Sequence, residues 1–136
     1  MKVMPDTNVI ISAILFPDSI PAKVLEDIVY NHTPVLCSHI IEELHNIFER
    51  KFRDKVYVLE NFLLKFPYEL IYTPILIDPT KYPYISDIED LPILVSAILG
   101  DVDIIVTGDK EFTKVEIEKP EILTPREFLE RYSSKS

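Results

Sequence analysis

Three aspartates stand where alternating strands and helices would bring their carboxylates together. Asp6 ends the apolar stretch KVMPD (2–6). Asp109 follows a second apolar stretch, IIVT, with Gly108 between them to give the backbone room to turn, and Asp90 precedes the apolar stretch LPILVSAIL. Ligands of open parallel sheets bind outside the carboxyl ends of the strands. This placement predicts one acidic site at a single edge of a sheet.

A fourth carboxylate comes from the predicted helix 39–50, HIIEELHNIFER. Its apolar stripe consists of Ile40, Ile41, Leu44, Ile47 and Phe48. Glu43 lies three residues after Ile40 and four before Ile47, so it flanks that stripe. We therefore expect Glu43 to point along the edge of the core toward the site, and Glu42, on the polar side of the helix, to face water.

Four carboxylates at one edge would repel one another, because like charges and burial both raise the pKa of a carboxyl group. A hard divalent cation removes the conflict, since Mg²⁺ and Mn²⁺ favour carboxylate and water oxygens. The histidines have no zinc-like spacing and are interpreted as surface or packing residues: His32, His39 and His45. Nearby hydroxyl and amide side chains are predicted to orient the carboxylates or hold metal-bound water: Thr7, Asn8, Ser38 and Thr107.

Each acid also has an ordinary structural interpretation. Asp6 and Asp90 could cap the helices that follow them. Asp109 could be a turn residue, and Glu43 could be a solvated helix residue. These interpretations predict no preference for one edge of a sheet, whereas a metal site does, so the shared edge favours the metal site.

The chain is expected to form one α/β domain over residues 1–136, because strands alternate with helices and a mostly parallel sheet follows from that order. The predicted strands are 2–6, 34–38, 69–73, 103–107 and 121–124. The first predicted helix begins at Asn8. Further helices are predicted over 19–31, 39–50, 55–66 and 92–99, and a last one in TPREFLERY. A loop is predicted over 74–90. Ser38 is expected to cap the third helix, and Thr124 with Glu127 has the spacing of a capping box.

Composition excludes several classes of protein. A net charge of −9 and a pI near 4.7 argue against a general nucleic-acid binder, which normally has a basic face. The single cysteine, Cys37, suits a reducing cytoplasm, and neither a membrane-length apolar run nor a signal-peptide pattern is present. Two glycines and no GKS/T sequence exclude a P-loop enzyme. A phosphoacceptor signalling domain would need an acid pair after the first strand, where Asp6 stands alone.

Five segments, in order, resemble the PIN-domain nucleases, and in particular the toxin components of toxin–antitoxin systems. They are DTNVIISAIL, SHIIEELHNIF, DIEDLPILVSAIL, DIIVTGDKEF and ILTPREFL. The resemblance implies a three-layer α/β/α sandwich with a five-stranded parallel sheet in the order 3-2-1-4-5. It also implies an acidic pocket that binds one or two Mg²⁺ or Mn²⁺ ions and cuts RNA, a homodimer, and a small antitoxin that inserts a basic segment into the acidic groove.

The same resemblance assigns roles to individual residues. The four catalytic and metal-ligating acids would be Asp6, Glu43, Asp90 and Asp109, while Asn8, Ser38 and Thr107 would help to arrange the pocket. The third motif reads DIED, so Asp87 and Glu89 compete with Asp90, and we favour Asp90 while keeping Asp87 open. Pro5 departs from the family pattern, because an aliphatic residue is usual before the first acid. Proline cannot donate to a ladder, so β pairing on one side is expected to stop by Pro5.

RNA would have to approach an acidic protein, so local basic contacts are needed. The stretch RKFRDK (50–55) could contact phosphates or be a solvated turn between helices, and Lys110 could act similarly or simply offset the acids. Tyr82 and Tyr84 could stack on bases or pack the long loop. An RNA-processing or repair nuclease of the same fold, or a non-catalytic metal- or RNA-binding protein, is the alternative to a toxin.

Overall fold

A computed structural model of the protein describes residues 1–133; the last three residues of the predicted domain lie outside this range. Its five strands are β1 (Lys2–Pro5), β2 (Thr33–Cys37), β3 (Glu69–Ile71), β4 (Ile104–Val106) and β5 (Glu121–Leu123). They form one parallel sheet in the order β3-β2-β1-β4-β5. The predicted strand order is confirmed.

Within residues 1–133, seven helices surround this sheet: α1 (Thr7–Leu15), α2 (Ile20–Asn31), α3 (Ser38–Lys51), α4 (Val56–Lys65), α5 (Leu91–Leu99), α6 (Lys110–Thr113) and α7 (Pro125–Tyr132). Helix α6, which is only one turn long, was not predicted. Three 3₁₀ turns, Arg53–Lys55, Pro79–Lys81 and Ile88–Asp90, were also missed. The last two lie in the segment predicted as an open loop.

The chain covers both faces of the sheet because its crossovers run in two directions. From β1 through β2 to β3 the chain moves one way across the sheet, and from β3 to β4 and β5 it moves the other way. Right-handed crossovers of opposite direction place their helices on opposite faces. The result is the predicted three-layer α/β/α arrangement, whose core includes the fully buried Phe48, Phe112 and Phe128.

At Pro5, β1 still pairs with β4 but no longer with β2. Pro5 pairs with Val106 of β4, and the backbone N–H of Asp6 donates to the Val106 carbonyl at 2.9 Å. On the side of β2, the register ends with Val3 opposite Pro34. The predicted loss of pairing on one side by Pro5 is confirmed, and Asp6 remains bonded to the sheet.

The predicted capping box of α7 is confirmed, whereas the predicted cap of α3 is not. Thr124 with Glu127 forms the capping box, and Ser19 caps α2. The prediction that Ser38 caps α3 is wrong, because α3 begins at Ser38 and Cys37 occupies the cap position. The Ser38 hydroxyl instead accepts a hydrogen bond from the backbone N–H of Thr73 at 2.9 Å. β3 ends at Ile71, opposite Cys37, the last residue of β2.

Among residues 1–133, no single helix is long and apolar enough to cross a bilayer. Helices α1 and α2 together have the length and apolarity, but they meet at a bend of 107°.

Candidate metal centre

Asp6 is a buried carboxylate at the carboxyl end of β1, with 5% of its surface exposed. One side-chain oxygen, Oδ1, accepts from the backbone N–H of Asn8 at 3.0 Å and thereby caps α1. The other, Oδ2, accepts from the Thr107 hydroxyl at 2.6 Å. The capping interpretation and the site interpretation are therefore compatible, because the cap uses only one of the two oxygens.

Thr107 joins the ends of two neighbouring strands. Its hydroxyl oxygen donates to Asp6 and also accepts from the backbone N–H of Asp109 at 3.1 Å. Asp109 itself caps α6 by accepting from the backbone N–H of Glu111 at 2.9 Å. Gly108, between them, has no positive φ, and a Cβ placed there would meet no atom within 4 Å. The expected need for glycine at the turn is wrong.

Glu43 faces the same edge of the sheet from α3. Its Oε1 accepts from the Thr7 hydroxyl at 2.7 Å, directly beside Asp6 in sequence, and lies 3.6 Å from His39 Nε2. Glu43 is half-buried, whereas Glu42 is exposed. The predicted orientations of these two glutamates are confirmed.

The tightest group of acids is Asp87, Asp90 and Asp109. Each offers a carboxylate oxygen, and the three oxygens lie within 4.8 Å of one another. Asp87 also caps the short turn that follows it, through the backbone N–H of Glu89 at 3.0 Å. Asp90 makes no side-chain cap with α5, so the capping interpretation of Asp90 is wrong.

Electrostatics links this group to the residues on the sheet. Burial, followed by the charges of Asp6, Asp87 and Asp109, raises the pKa of Asp90 from 3.8 to about 7. Burial also raises the pKa of Asp6, with smaller contributions from Glu43 and Asp109, against the lowering effect of the hydrogen bonds from Thr107 and Asn8. Five carboxylates thus belong to one electrostatic cluster: Asp6, Glu43, Asp87, Asp90 and Asp109.

These residues fit a hard divalent cation. Asp90 Oδ2 is buried and has no hydrogen-bond partner among residues 1–133. A buried carboxylate oxygen without a donor is costly unless it is protonated or bound to a cation. Because every donor in the group is a carboxylate oxygen, Mg²⁺ or Mn²⁺ suits it better than a soft metal.

Asn8 and Ser38 are the other residues predicted to arrange the pocket. Asn8 is exposed and contributes its backbone N–H to Asp6, while the Ser38 hydroxyl bonds to Thr73. Tyr82 packs against the core and Tyr84 is 84% exposed.

The basic stretch 50–55 has only exposed charged side chains, none of which forms an ion pair within residues 1–133. Sequence reasoning missed His39, although its spacing of four residues before Glu43 on one helix predicts their contact.

The fold and the site define a class: a doubly wound α/β domain with a carboxylate cluster at the carboxyl ends of its strands. The family model described as the PIN domain matches residues 2–111, and the chain belongs to that family, whose members are generally nucleases.

Two relatives extend the comparison. The chain is 29% identical over 146 aligned positions to the uncharacterized protein MJ1680 of Methanocaldococcus jannaschii, covering 97% of this chain and 92% of the relative. It is also similar to the crystal structure of VapBC2 from Rickettsia felis bound to a DNA fragment from their promoter. That match has a TM-score of 0.68 and 25% identity, and covers 90% of this chain and 97% of the other.

Proposed function

We propose that the protein is an endoribonuclease that hydrolyses RNA phosphodiester bonds with Mg²⁺ or Mn²⁺. The observation that carries this proposal is the carboxylate cluster, in which Asp87, Asp90 and Asp109 place oxygens within 4.8 Å of one another and Asp90 Oδ2 lacks a partner. Membership of the PIN domain family supports the same conclusion.

The residues would divide the work as follows. Asp90 and Asp109 would hold the ion, with Asp87 assisting, while Asp6 and Glu43 complete the ligand set. Thr107 and Thr7 hold the carboxylates of Asp6 and Glu43 in place through their hydroxyl groups. A bound ion would lower the pKa of a nearby water and stabilise charge on the leaving oxygen. One carboxylate of the cluster would accept the proton of the attacking water as its oxygen bonds to phosphorus, and the leaving 3′-oxygen would take up a proton from solvent. Because water is the nucleophile in this scheme, no covalent enzyme intermediate forms.

The test is cleavage of a mixed set of end-labelled RNAs with Mg²⁺ or Mn²⁺, comparing the wild type with Asp6→Asn and Asp109→Asn. We expect metal-dependent cutting that leaves 5′-phosphate and 3′-hydroxyl ends and that both variants lose. Asp18→Asn is the matched control, because this substitution removes the same charge at an exposed position outside both the cluster and the basic stretch 50–55. Metal binding without cutting by the wild type would favour the non-catalytic alternative.

The exposed basic stretch 50–55 is the proposed phosphate contact. It follows α3, the helix that carries Glu43. Arg50→Glu combined with Arg53→Glu should weaken RNA binding and flatten its dependence on salt, because fewer counterions are released. Lys23→Glu combined with Lys65→Glu makes the same charge change at exposed positions on other helices and should have a smaller effect. Equal effects of the two pairs would remove the stretch from the site.

We further propose that the protein acts in the cytoplasm as the toxin of a toxin–antitoxin pair. The match to VapBC2 supports this role. The acidic cluster would attract a basic segment of a small antitoxin, because opposite charges favour association. We also expect a homodimer; an exposed aromatic side chain such as Tyr72 (78%) is surface that a second copy would cover. Size-exclusion chromatography with light scattering tests the dimer, and a monomer would contradict it.

A further inference from the structure

A cavity of about 330 Å³ lies beside the acidic cluster, between the start of α3, the segment that follows β3 and the start of α5. Its lining includes His39, Pro74, Ile75, Ile77, Ile88 and Pro92. Two lining residues connect the cavity to the cluster. His39 Nε2 lies 3.6 Å from Glu43 Oε1, and Leu91, which also lines the cavity, directly follows Asp90 in the chain.

The walls of this cavity are held together by hydrogen bonds. The Thr73 backbone N–H donates to the Ser38 hydroxyl at 2.9 Å, and Thr73 Oγ1 accepts from the backbone N–H of His39 at 3.1 Å. The buried Ser96 hydroxyl of α5 donates to the same Thr73 oxygen at 2.8 Å. Thr73 therefore ties the segment after β3 to both α3 and α5. A cavity whose walls are fixed in advance loses little entropy when a ligand enters.

The chemistry of the lining favours a neutral, flat ligand. Within the described part of the chain, the lining contains no lysine or arginine, and the carboxylates of Glu43 and Asp90 next to it would repel a phosphate. The imidazole of His39 instead offers a ring on which a nucleobase can stack, and the proline and isoleucine side chains offer apolar surfaces against which the base can pack. A volume of about 330 Å³ is at the small end of ligand pockets, which suits one nucleobase better than a large cofactor.

We propose that this cavity binds a single unstacked nucleobase of the RNA next to the phosphate that is cut. The proposal rests on the proposed function, because a metal ion held by the cluster would attract that phosphate next to the cavity, whereas the carboxylates alone would repel it. The cavity would then contribute to the choice of cleavage site, which the carboxylates cannot make because every phosphate is alike.

The experiment measures RNA binding by fluorescence anisotropy in Ca²⁺, with the RNA checked for integrity on a denaturing gel. The probe is a 5′-fluorescein octanucleotide of mixed sequence in which each position in turn is made abasic. For the wild type, loss of one base should weaken binding by about 5- to 150-fold, the effect of removing one stacking contact, and loss of the other bases should have less effect.

Two neighbouring substitutions test whether this base lies in the cavity. Ile75→Ser changes a side chain that lines the cavity and is 98% exposed, so folding should not depend on it. It should weaken binding of the intact RNA several-fold and leave binding of the sensitive abasic RNA unchanged. Leu76→Ser is the matched control, because Leu76 is 91% exposed and lies outside the lining. His39→Ala should resemble Ile75→Ser, whereas His39→Phe should keep the stacking surface and the affinity.

Several results would overturn the inference. These are equal sensitivity to every abasic position, equal effects of Ile75→Ser and Leu76→Ser, or no RNA binding by the wild type. A change of oligomeric state in Ile75→Ser without any base dependence would also overturn it, and would assign the surface to a second copy of the chain. Base-dependent binding without cleavage in Mg²⁺ or Mn²⁺ would support the cavity and contradict the nuclease. Cleavage without cavity-dependent binding would support the nuclease and contradict the nucleobase site.

Discussion

Replacing Asp90 with asparagine is expected to stabilise the metal-free protein at pH 8 and to remove its stabilisation by metal. The carboxyl of Asp90 has a pKa raised from 3.8 to about 7, mainly by burial and then by the neighbouring charges. The stability associated with its protonated form is fully present below pH 3.8 and is lost as the pH rises through about 7. At pH 8 the folded protein therefore carries the full cost of an ionised Asp90, which asparagine lacks.

The size of the effect follows from the same shift. At about 1.36 kcal/mol per pKa unit, the rise from 3.8 to about 7 corresponds to an upper limit of about 4 kcal/mol. Asp90 is only half-buried, so solvent screening reduces the expected gain to about 1–2 kcal/mol. For a chain of this length, such a gain raises Tm by about 4–8 °C.

The assay is thermal unfolding in EDTA at pH 8 and at pH 4, followed by circular dichroism. Asp90→Asn should exceed the wild type at pH 8 and match it at pH 4, where Asp90 is largely protonated in the folded protein and close to half protonated in the unfolded chain. Addition of Mg²⁺ or Mn²⁺ at pH 8 should raise the Tm of the wild type but not that of the variant, because only the folded wild type binds the ion.

Asp54→Asn is the control for the change in net charge, since Asp54 is exposed and lies outside the cluster. It should change Tm by much less at either pH. If Asp90→Asn lowered Tm at pH 8 in EDTA, or raised it equally at both pH values, the conclusion that uncompensated charge accumulates at Asp90 would be refuted.

Two further predictions concern the residues that support the site. Thr107→Val removes the hydroxyl that bonds to Asp6 and Asp109. The affinity for Mn²⁺, measured by calorimetry, should therefore fall about 10- to 100-fold, whereas Thr107→Ser should keep most of it. Equal affinities of the two variants would contradict this role. Gly100→Ala should destabilise the fold by about 1 kcal/mol in urea unfolding, because its Cβ would lie 1.9 Å from Ile71 Cδ1 and that side chain must move. Gly108→Ala, with nothing within 4 Å, should leave stability within about 0.5 kcal/mol of the wild type, and a large loss there would contradict the geometry.

Local patterns in the sequence predicted most of the elements. The apolar stripe of α3 placed Glu43 at the edge of the core and Glu42 in water, and the structure agrees. Alternation of strands and helices indicated a parallel sheet, because a parallel pair needs a long crossover. The order of the strands came from the resemblance to PIN domains and is confirmed. Weak local signals explain the misses: α6 is one turn long, and the 3₁₀ turns have no apolar period to reveal them.

The sequence by itself determined that acidic residues follow the strands and begin the helices at one edge of the sheet, because hydrophobic periodicity and strand ends are local properties. Only the tertiary structure decided which atoms meet there. Thr107 bonds to Asp6 across 101 positions of the chain. Ser38 bonds to Thr73 instead of capping its own helix. Asp87 caps the 3₁₀ turn that ends at Asp90, and its carboxylate lies close to those of Asp90 and Asp109. Contacts between residues far apart in the chain depend on distances that folding creates, and local spacing does not determine those distances.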